Sequence, residues 1–191
     1  YLAQLPPDEH TAQQLRSAQA IIRFAEQELG LPAGDSYQTF VPMDGVAITW
    51  NVVATPSFSL KPRRWCFLVA GCVPYRGYFD QSDADRFADR MRDKGLDVAV
   101  SRATAYSTLG WFDDPILGTM LSGPVADLAE VLIHELAHQS VYVRGATTFN
   151  ESYATFVARQ GVLRWMRQQG DEAGLAQWQV REAASQDFIE L

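Results

Sequence analysis

Apolar and polar residues alternate with two different periods in the first half of the chain. Over residues 9–29 apolar side chains recur along one helix face, and Gly30 with Pro32 predicts the end of that helix. From Val46 the period changes to two, so that "VAITWNVVA" predicts a half-buried strand, and "RWCFLVA" and "LDVAVSRA" predict two more. The first half therefore combines an N-terminal helix with a strand-rich region.

A short helix is predicted between the last two of these strands, in "SDADRFADRMRDKG". Ser82 is the expected N-cap, Phe87 and Met91 lie four residues apart on one face, and Gly95 follows the expected end. After the last strand, "TLGWFDDPILG" is typical of a turn-rich loop.

Helical periodicity takes over beyond Pro124, where no strand is predicted. Helices are expected at about 125–143, 150–169 and 172–190, separated by "RGATT" and "QQGD". A helix and strand-rich half followed by a helical half predicts an α+β fold. A length of 191 residues favours one domain over two, so residues 1–191 are predicted to form a single domain.

Composition narrows the class of partner. The chain is 47% hydrophobic and 20% charged, as expected of a globular protein, and its formal charge is -7. This charge argues against nucleic acid or anionic lipid as the main partner, because both bind basic surface patches. No apolar run is long enough to span a membrane, and the first residue, Tyr1, is compatible with a processed or truncated form.

The two cysteines, Cys66 and Cys72, leave two interpretations open. On a straight strand they would lie roughly 20 Å apart, whereas a disulfide needs Cα atoms within about 7 Å. A disulfide therefore requires the chain to reverse near Ala70 and Gly71. Two reduced, buried thiols are an equally good interpretation of the residues alone.

His134, Glu135 and His138 form an H-E-x-x-H pattern inside the helix predicted at about 125–143. Positions four apart project from one helix face, so both imidazoles can bind one ion at about 2.0–2.1 Å. Glu135 lies beside them, where it can act as a general base on water activated by zinc. Two ordinary histidines on an amphipathic helix are the alternative, which is disfavoured because the chain has only three histidines.

A catalytic zinc needs a third protein ligand, and Glu151 in "FNESYATF" is the candidate. If the next helix packs antiparallel to the first, its start brings Glu151 to His134 and His138. The competing interpretation is a capping box, T-x-x-E, in which Thr148 is the N-cap and Glu151 bonds a backbone N–H.

Several other residues are weaker candidates. A donor to the oxyanion of the reaction could be any of Tyr75, Arg76, Tyr78, Tyr106 and Tyr153, although each is more often a packing or surface residue. The acids that could recognise a substrate amine are Asp80, Asp83, Asp113 and Asp114, for which turn and cap roles are favoured. Glu130, one turn before His134, could approach the metal or its ligands, although a solvated helix face is favoured. His10 is remote in sequence.

Three blocks of the chain carry a resemblance to a known family. "WNVVATPSFSLKPRRWCFLVAGCVPYRGYF", "AYSTLGWFDDPIL" and "HELAHQSVYVRGATTFNESYATFV" are similar to the bacterial predicted aminopeptidase family, over a region from about Leu15 to the C-terminus. The resemblance implies a zinc-dependent peptidase of the gluzincin type that acts on peptides or proteins. In it His134, His138 and Glu151 fall on the metal-ligand positions and Glu135 on the catalytic position.

The resemblance also implies a bacterial envelope location, most simply the periplasm, with a lipoprotein-type anchor in many members. An oxidising compartment would favour a Cys66–Cys72 disulfide. This chain has no lipobox cysteine near its start, and members extend beyond the position of Leu191. A G-x-M-E-N-like motif for the substrate amine is absent, so metallopeptidase chemistry is better supported than aminopeptidase specificity. The alternatives are a scaffolding protein with a structural or vestigial zinc site, and a zinc amidase acting on a non-peptide substrate.

Overall fold

A computed structural model of the protein describes residues 8–42, 49–67, 71–103 and 113–189. The described residues fall into two compact units, the first within the ranges 1–43 and 107–191 and the second within the range 44–106. The helices are α1 Glu9–Leu29, α2 Gln81–Arg92, α3 Val125–Ser140, α4 Thr147–Gln169 and α5 Glu172–Ile189. The strands are β1 Phe40–Val41, β2 Thr49–Pro56, β3 Trp65–Phe67, β4 Gly71–Val73, β5 Arg76–Tyr78, β6 Leu96–Ala103 and β7 Ile116–Leu117.

The first unit is built around the packed helices α1, α3 and α4. Asp8 caps α1 by accepting a hydrogen bond from Thr11 N at 2.7 Å, and Gly30 ends it in the left-handed conformation, with φ 68°. The core contains fully buried leucine and isoleucine side chains of α1 and α3, and Phe24 packs edge-to-face on Trp165 at 5.3 Å. A short parallel pairing of β1 with β7 precedes a 3-10 turn, Gly118–Leu121, that leads towards α3.

The second unit is a three-stranded antiparallel sheet, in the order β5-β2-β6, with α2 packed against it. Apolar side chains of β2 and α2, among them Val52, Phe87 and Met91, form its core. Strands β3 and β4 form a hairpin in which Cys66 and Cys72 face each other as a disulfide, with Cα atoms 3.9 Å apart. The chain thus reverses between Phe67 and Gly71, as a disulfide requires.

The predicted α+β class is confirmed, and so are the bounds of α1 and β6. The N-cap of α2 was wrongly predicted, because Asp80, not Ser82, accepts the hydrogen bond from Asp83 N. The last three helices occur, but α3 ends at Ser140 and α4 begins at Thr147. The predicted strand positions 46–48 and 68–70 lie outside the described residues.

Two further expectations concern the chain as a whole. The single domain predicted for residues 1–191 stays a prediction. Among the described helices, none has both the length and the apolar character needed to cross a bilayer.

Candidate metal centre

Helix α3 presents two imidazoles to one point. His134 and His138 lie one turn apart on the same face, with their Nε2 atoms 3.1 Å apart and their ring planes at 85° to each other. His138 is only 6% exposed, whereas His134 is half-buried. The apolar residues beside them, including Leu132, Ile133 and Leu136, hold the helix in the core. The two ring nitrogens therefore converge on one point, and the helix that carries them is held rigidly.

Helix α4 brings a carboxylate to this pair. Glu151 Oε2 lies 3.3 Å from His134 Nε2, and Glu151 Oε1 lies 3.6 Å from His138 Nε2. Ligands about 2.0–2.1 Å from a tetrahedral ion lie roughly 3.3–3.4 Å from one another. The observed spacings of 3.1, 3.3 and 3.6 Å match that value. This cluster can hold a metal ion.

The capping-box interpretation of Glu151 is wrong. Helix α4 begins at Thr147, two to three residues earlier than expected, and its N-cap, Ala146, makes no side-chain hydrogen bond. Thr148 therefore lies inside the helix, and Glu151 lies in its second turn, beyond the position from which it could cap. Its carboxylate is 57% exposed and directed at the histidines.

Asn150, which lies outside the H-E-x-x-H motif, fixes the turn between α3 and α4. Its side chain is 1% exposed, and its Oδ1 accepts a hydrogen bond from Val143 N at 2.8 Å while its Nδ2 donates one to Val143 O at 2.9 Å. The amide thus pairs with both backbone groups of a residue in the connecting turn, as a neighbouring strand would. Because Asn150 precedes Glu151, the same contacts fix the start of the helix that carries the carboxylate.

Small residues let α4 approach α3 closely. Ala154, Ala158 and Gly161 are turned towards the core at the spacing of one helix face. A Cβ atom at Gly161 would lie 2.8 Å from Ile133 Cδ1, so only glycine fits without movement of a neighbour. Since Ile133 precedes His134, this contact sets the separation of the two helices near the cluster. Asn150 lies on the same face, and that periodicity was a signal from which it could have been predicted.

Burial also affects the charge of the cluster. Burial lowers the pKa of His134, the neighbouring His138 lowers it further, and the Glu151 carboxylate acts in the opposite direction. A lowered pKa keeps the imidazole neutral at neutral pH, and neutral imidazole is the form that binds metal. Nε2 of His138 faces the cluster, whereas its Nδ1 is buried without a hydrogen-bond partner in the described part of the chain.

Glu135, the predicted general base, follows His134 on α3 and is half-buried. It is not one of the three clustered ligands, and its role as general base stays a prediction. His10 is exposed in the first turn of α1 and does not belong to the cluster either.

The weaker candidates have other contacts. Tyr153 stacks on Phe149, with ring centroids 6.3 Å apart. In the second unit Arg76 lies over the rings of Tyr78 and Phe87, at 5.5 and 5.0 Å. Tyr75 is exposed and Tyr106 lies outside the described residues.

The acids predicted as candidates for binding a substrate amine also have other roles or positions. Asp80 caps α2, so the predicted cap role is confirmed for it, whereas Asp83 lies inside the helix and pairs with Arg86. Asp113 is exposed and Asp114 is buried.

The expectation for Glu130 was wrong. Instead of facing solvent, its carboxylate is partly buried and accepts a hydrogen bond from Trp178 Nε1 at 2.8 Å, which joins α3 to α5. The indole of Trp178 is itself buried, so a residue far along the chain takes this position out of solvent.

Comparison with protein families gives a match over the whole chain. A family model described as "Putative aminopeptidase" matches residues 1–191. Searches of curated proteins and of solved structures gave no match.

Proposed function

The chain belongs to the aminopeptidase family whose model matches it, and we propose that it is a zinc-dependent peptidase with His134, His138 and Glu151 as metal ligands. The observation that carries this proposal is the convergence of three ligand-bearing side chains at spacings of 3.1 to 3.6 Å. Two of them come from one helix face and the third from its antiparallel neighbour, so the packed core supports their positions.

The donor set favours zinc among metals. Two imidazoles and one carboxylate are the ligands of a common class of catalytic zinc site, which leaves a fourth position open. Zinc supplies a Lewis acid that polarises the scissile carbonyl and lowers the pKa of water to about 7. Because Glu151 is 57% exposed, the cluster is accessible to solvent and to a substrate.

The remaining chemical role falls to Glu135. Beside the ligand His134 on α3, it can accept a proton from the attacking water and deliver that proton to the leaving amine. The fully buried leucine and isoleucine side chains of α3 keep the ligand helix in a fixed orientation. The reaction is the hydrolysis of a peptide bond in a peptide or protein substrate.

Metal content and a conservative substitution test the proposal together. The purified protein should contain about one zinc per chain, and removing it with a chelator should lower the unfolding temperature. Glu135→Gln should keep the zinc and lower peptide hydrolysis by at least about a hundredfold. The control Glu26→Gln alters an exposed glutamate on α1 and should leave both quantities unchanged.

Two outcomes would contradict the proposal. Protein that is free of zinc after expression in metal-replete medium would show that the cluster does not hold the ion. Equal hydrolysis by the wild type and by Glu135→Gln, with zinc bound, would favour the alternative of a structural metal site on a scaffolding protein.

Specificity for a free N-terminus is a further part of the proposal. The family description supports it, and peptides with a free or an acetylated α-amine, otherwise identical, separate the cases. Cleavage restricted to the free-amine peptides supports an aminopeptidase, whereas equal cleavage of both sets indicates an endopeptidase. Hydrolysis of a non-peptide amide alone would favour the amidase alternative.

A location in the bacterial envelope, in an oxidising compartment such as the periplasm, belongs to the same proposal. The Cys66–Cys72 disulfide supports it, because such bonds persist outside the reducing cytosol. Fractionation of cells combined with thiol labelling tests this assignment. Recovery of the full-length protein in the cytosol with both thiols reduced would contradict it.

A further inference from the structure

Two large apolar side chains of the second unit are left uncovered by the part of the chain that the structure describes. Phe58 and Leu60 are 107% and 99% exposed, on the 57–64 loop that joins β2 to β3. Single exposed apolar residues are normal on protein surfaces. Two large ones separated by one residue, both exposed as fully as in an extended chain, form a protruding apolar tip.

The backbone of this loop is ordered by its own hydrogen bonds. Ser59 N donates to Pro56 O at 3.0 Å, Lys61 N donates to Ser59 Oγ at 3.1 Å, and Arg63 N donates to Ala54 O at 2.8 Å. The tip is therefore held outward without tertiary cover. The paired N–H groups of Ser59, Lys61 and Arg63 carry no penalty for lost hydrogen bonds to water when they approach an apolar medium.

Basic residues outnumber acidic residues in the segments next to the tip. Ser57 Oγ donates to Gly95 O at 3.3 Å, which brings the turn between α2 and β6 beside the loop. The exposed cations here are Lys61, Arg63, Arg64 and Lys94, and the exposed acids are Asp93 and Asp97. Residues 44–106 hold nine Lys and Arg and seven Asp, which gives this unit a formal charge of +2. Because the whole chain has a formal charge of -7, the remaining residues carry a charge of -9. The acidity that argues against anionic lipid thus lies outside this unit.

We propose that the 57–64 loop docks the protein on a bilayer that contains anionic phospholipid. Phe58 and Leu60 enter the interfacial region, and the adjacent cations contact the headgroup phosphates. The tip projects from the surface, whereas peptide sites are grooves or sheet edges, and this convex shape fits a membrane better than a peptide. The inference is independent of the peptidase chemistry.

Flotation with lipid vesicles tests the proposal on the full-length chain. The wild type should bind vesicles of equal parts phosphatidylcholine and phosphatidylglycerol, and should bind phosphatidylcholine vesicles more weakly. Phe58→Ser with Leu60→Ser should weaken binding by about tenfold or more for each side chain removed from the bilayer. Lys61→Gln with Arg63→Gln should weaken binding by about fivefold for each charge and should reduce its salt dependence.

The matched control is Phe79→Ser. Phe79 is 86% exposed, but it follows Tyr78, which pairs with Trp50 near the start of β2, whereas the loop follows Pro56 at the end of β2. The control should bind vesicles like the wild type, and all variants should keep the wild-type unfolding temperature.

Three outcomes would overturn the inference. One is a wild type that does not float with the anionic vesicles, and another is a Phe58→Ser, Leu60→Ser variant that binds as the wild type does. The third is an increase of KM for peptide cleavage in that variant without any change in vesicle binding, which would assign the loop to substrate recognition instead.

Discussion

Replacing Asn150 by alanine tests whether the turn between α3 and α4 positions the third ligand. The substitution removes both hydrogen bonds to Val143 and leaves the adjacent carboxylate of Glu151 chemically intact. Any loss of metal binding would therefore act through position and not through the loss of a ligand. Asn150 is 1% exposed, so the change also creates a small cavity.

The expected magnitude follows from these contacts. Each of the two hydrogen bonds contributes about 1 kcal/mol net to stability, and the lost packing of a buried amide adds to this. The free energy of unfolding should fall by about 2–3 kcal/mol, less than a fully buried pair would cost because Val143 is partly exposed to water. Substitution of a residue that orients a metal ligand typically lowers metal affinity by about 10–100-fold, and we expect Asn150→Ala to lower the zinc affinity within that range.

Two measurements separate the effects on stability and on the site. Urea unfolding of the chelator-treated protein, followed by tryptophan fluorescence, gives the stability of the fold without metal. Competition with a zinc chelator at a temperature where the variant is fully folded gives the affinity. The control Ser152→Ala changes an exposed residue in the same helix turn and should stay within about 0.5 kcal/mol of the wild type.

The reasoning fails if Asn150→Ala unfolds at the wild-type urea concentration and binds zinc as tightly as the wild type. A second variant, Asn150→Asp, keeps an acceptor for Val143 N but places an oxygen against Val143 O. It should be at least as unstable as Asn150→Ala. A wild-type stability for Asn150→Asp would show that the second hydrogen bond contributes nothing.

Three other perturbations address the core, a buried acid and the disulfide. Gly161→Leu should lower stability by about 1–3 kcal/mol by overpacking against α3, and should weaken zinc binding; an unchanged zinc affinity would show that this contact does not set the site. Burial raises the pKa of Glu130 in the folded protein. The contribution of protonated Glu130 to the free energy of unfolding is therefore complete below about pH 4.3, the ordinary value for a glutamate, and is lost as pH rises through the raised pKa. Glu130→Gln, whose carbonyl can still accept from Trp178, should therefore gain stability relative to the wild type as pH rises over that range, and a difference independent of pH would refute the assignment. Replacing Cys66 and Cys72 by serine removes the disulfide and opens a loop with a sequence separation of 6. The unfolding free energy of the second unit should fall by about 2 kcal/mol. Added reductant should lower the stability of the wild type but not that of the variant.

Local signals predicted much of the fold. The bounds of α1 follow from its apolar periodicity and from Gly30, whose φ of 68° favours glycine at that position. The alternating pattern in "LDVAVSRA" predicted β6, which pairs with β2 along its full length. In each case the information lies within the segment itself.

Contacts between distant segments explain what the sequence did not predict. The N-cap of α2 is a local exception, because Asp80 and Ser82 are both good N-cap residues and Ser82 instead donates a hydrogen bond to the Asp80 carboxylate. Glu130 is removed from solvent by Trp178, a residue 48 positions away, and no periodicity within α3 reports that contact. The pairing of β1 with β7 involves two residues on each strand, too few for an alternating pattern.

In the candidate site, too, one part follows from local sequence and the other depends on contacts between helices. The spacing of His134 and His138 is a property of one helix, so the motif alone predicts that their ring nitrogens converge. The distance from these nitrogens to Glu151 depends on how closely α4 approaches α3, and this approach depends on side chains that bind no metal. Asn150 holds the turn and Gly161 permits contact three turns further along, so a geometry suited to zinc at Glu151 depends on both ends of the helix interface. For this reason a substitution at Gly161, which is not itself a ligand, is expected to act on metal affinity in the same direction as one at Asn150.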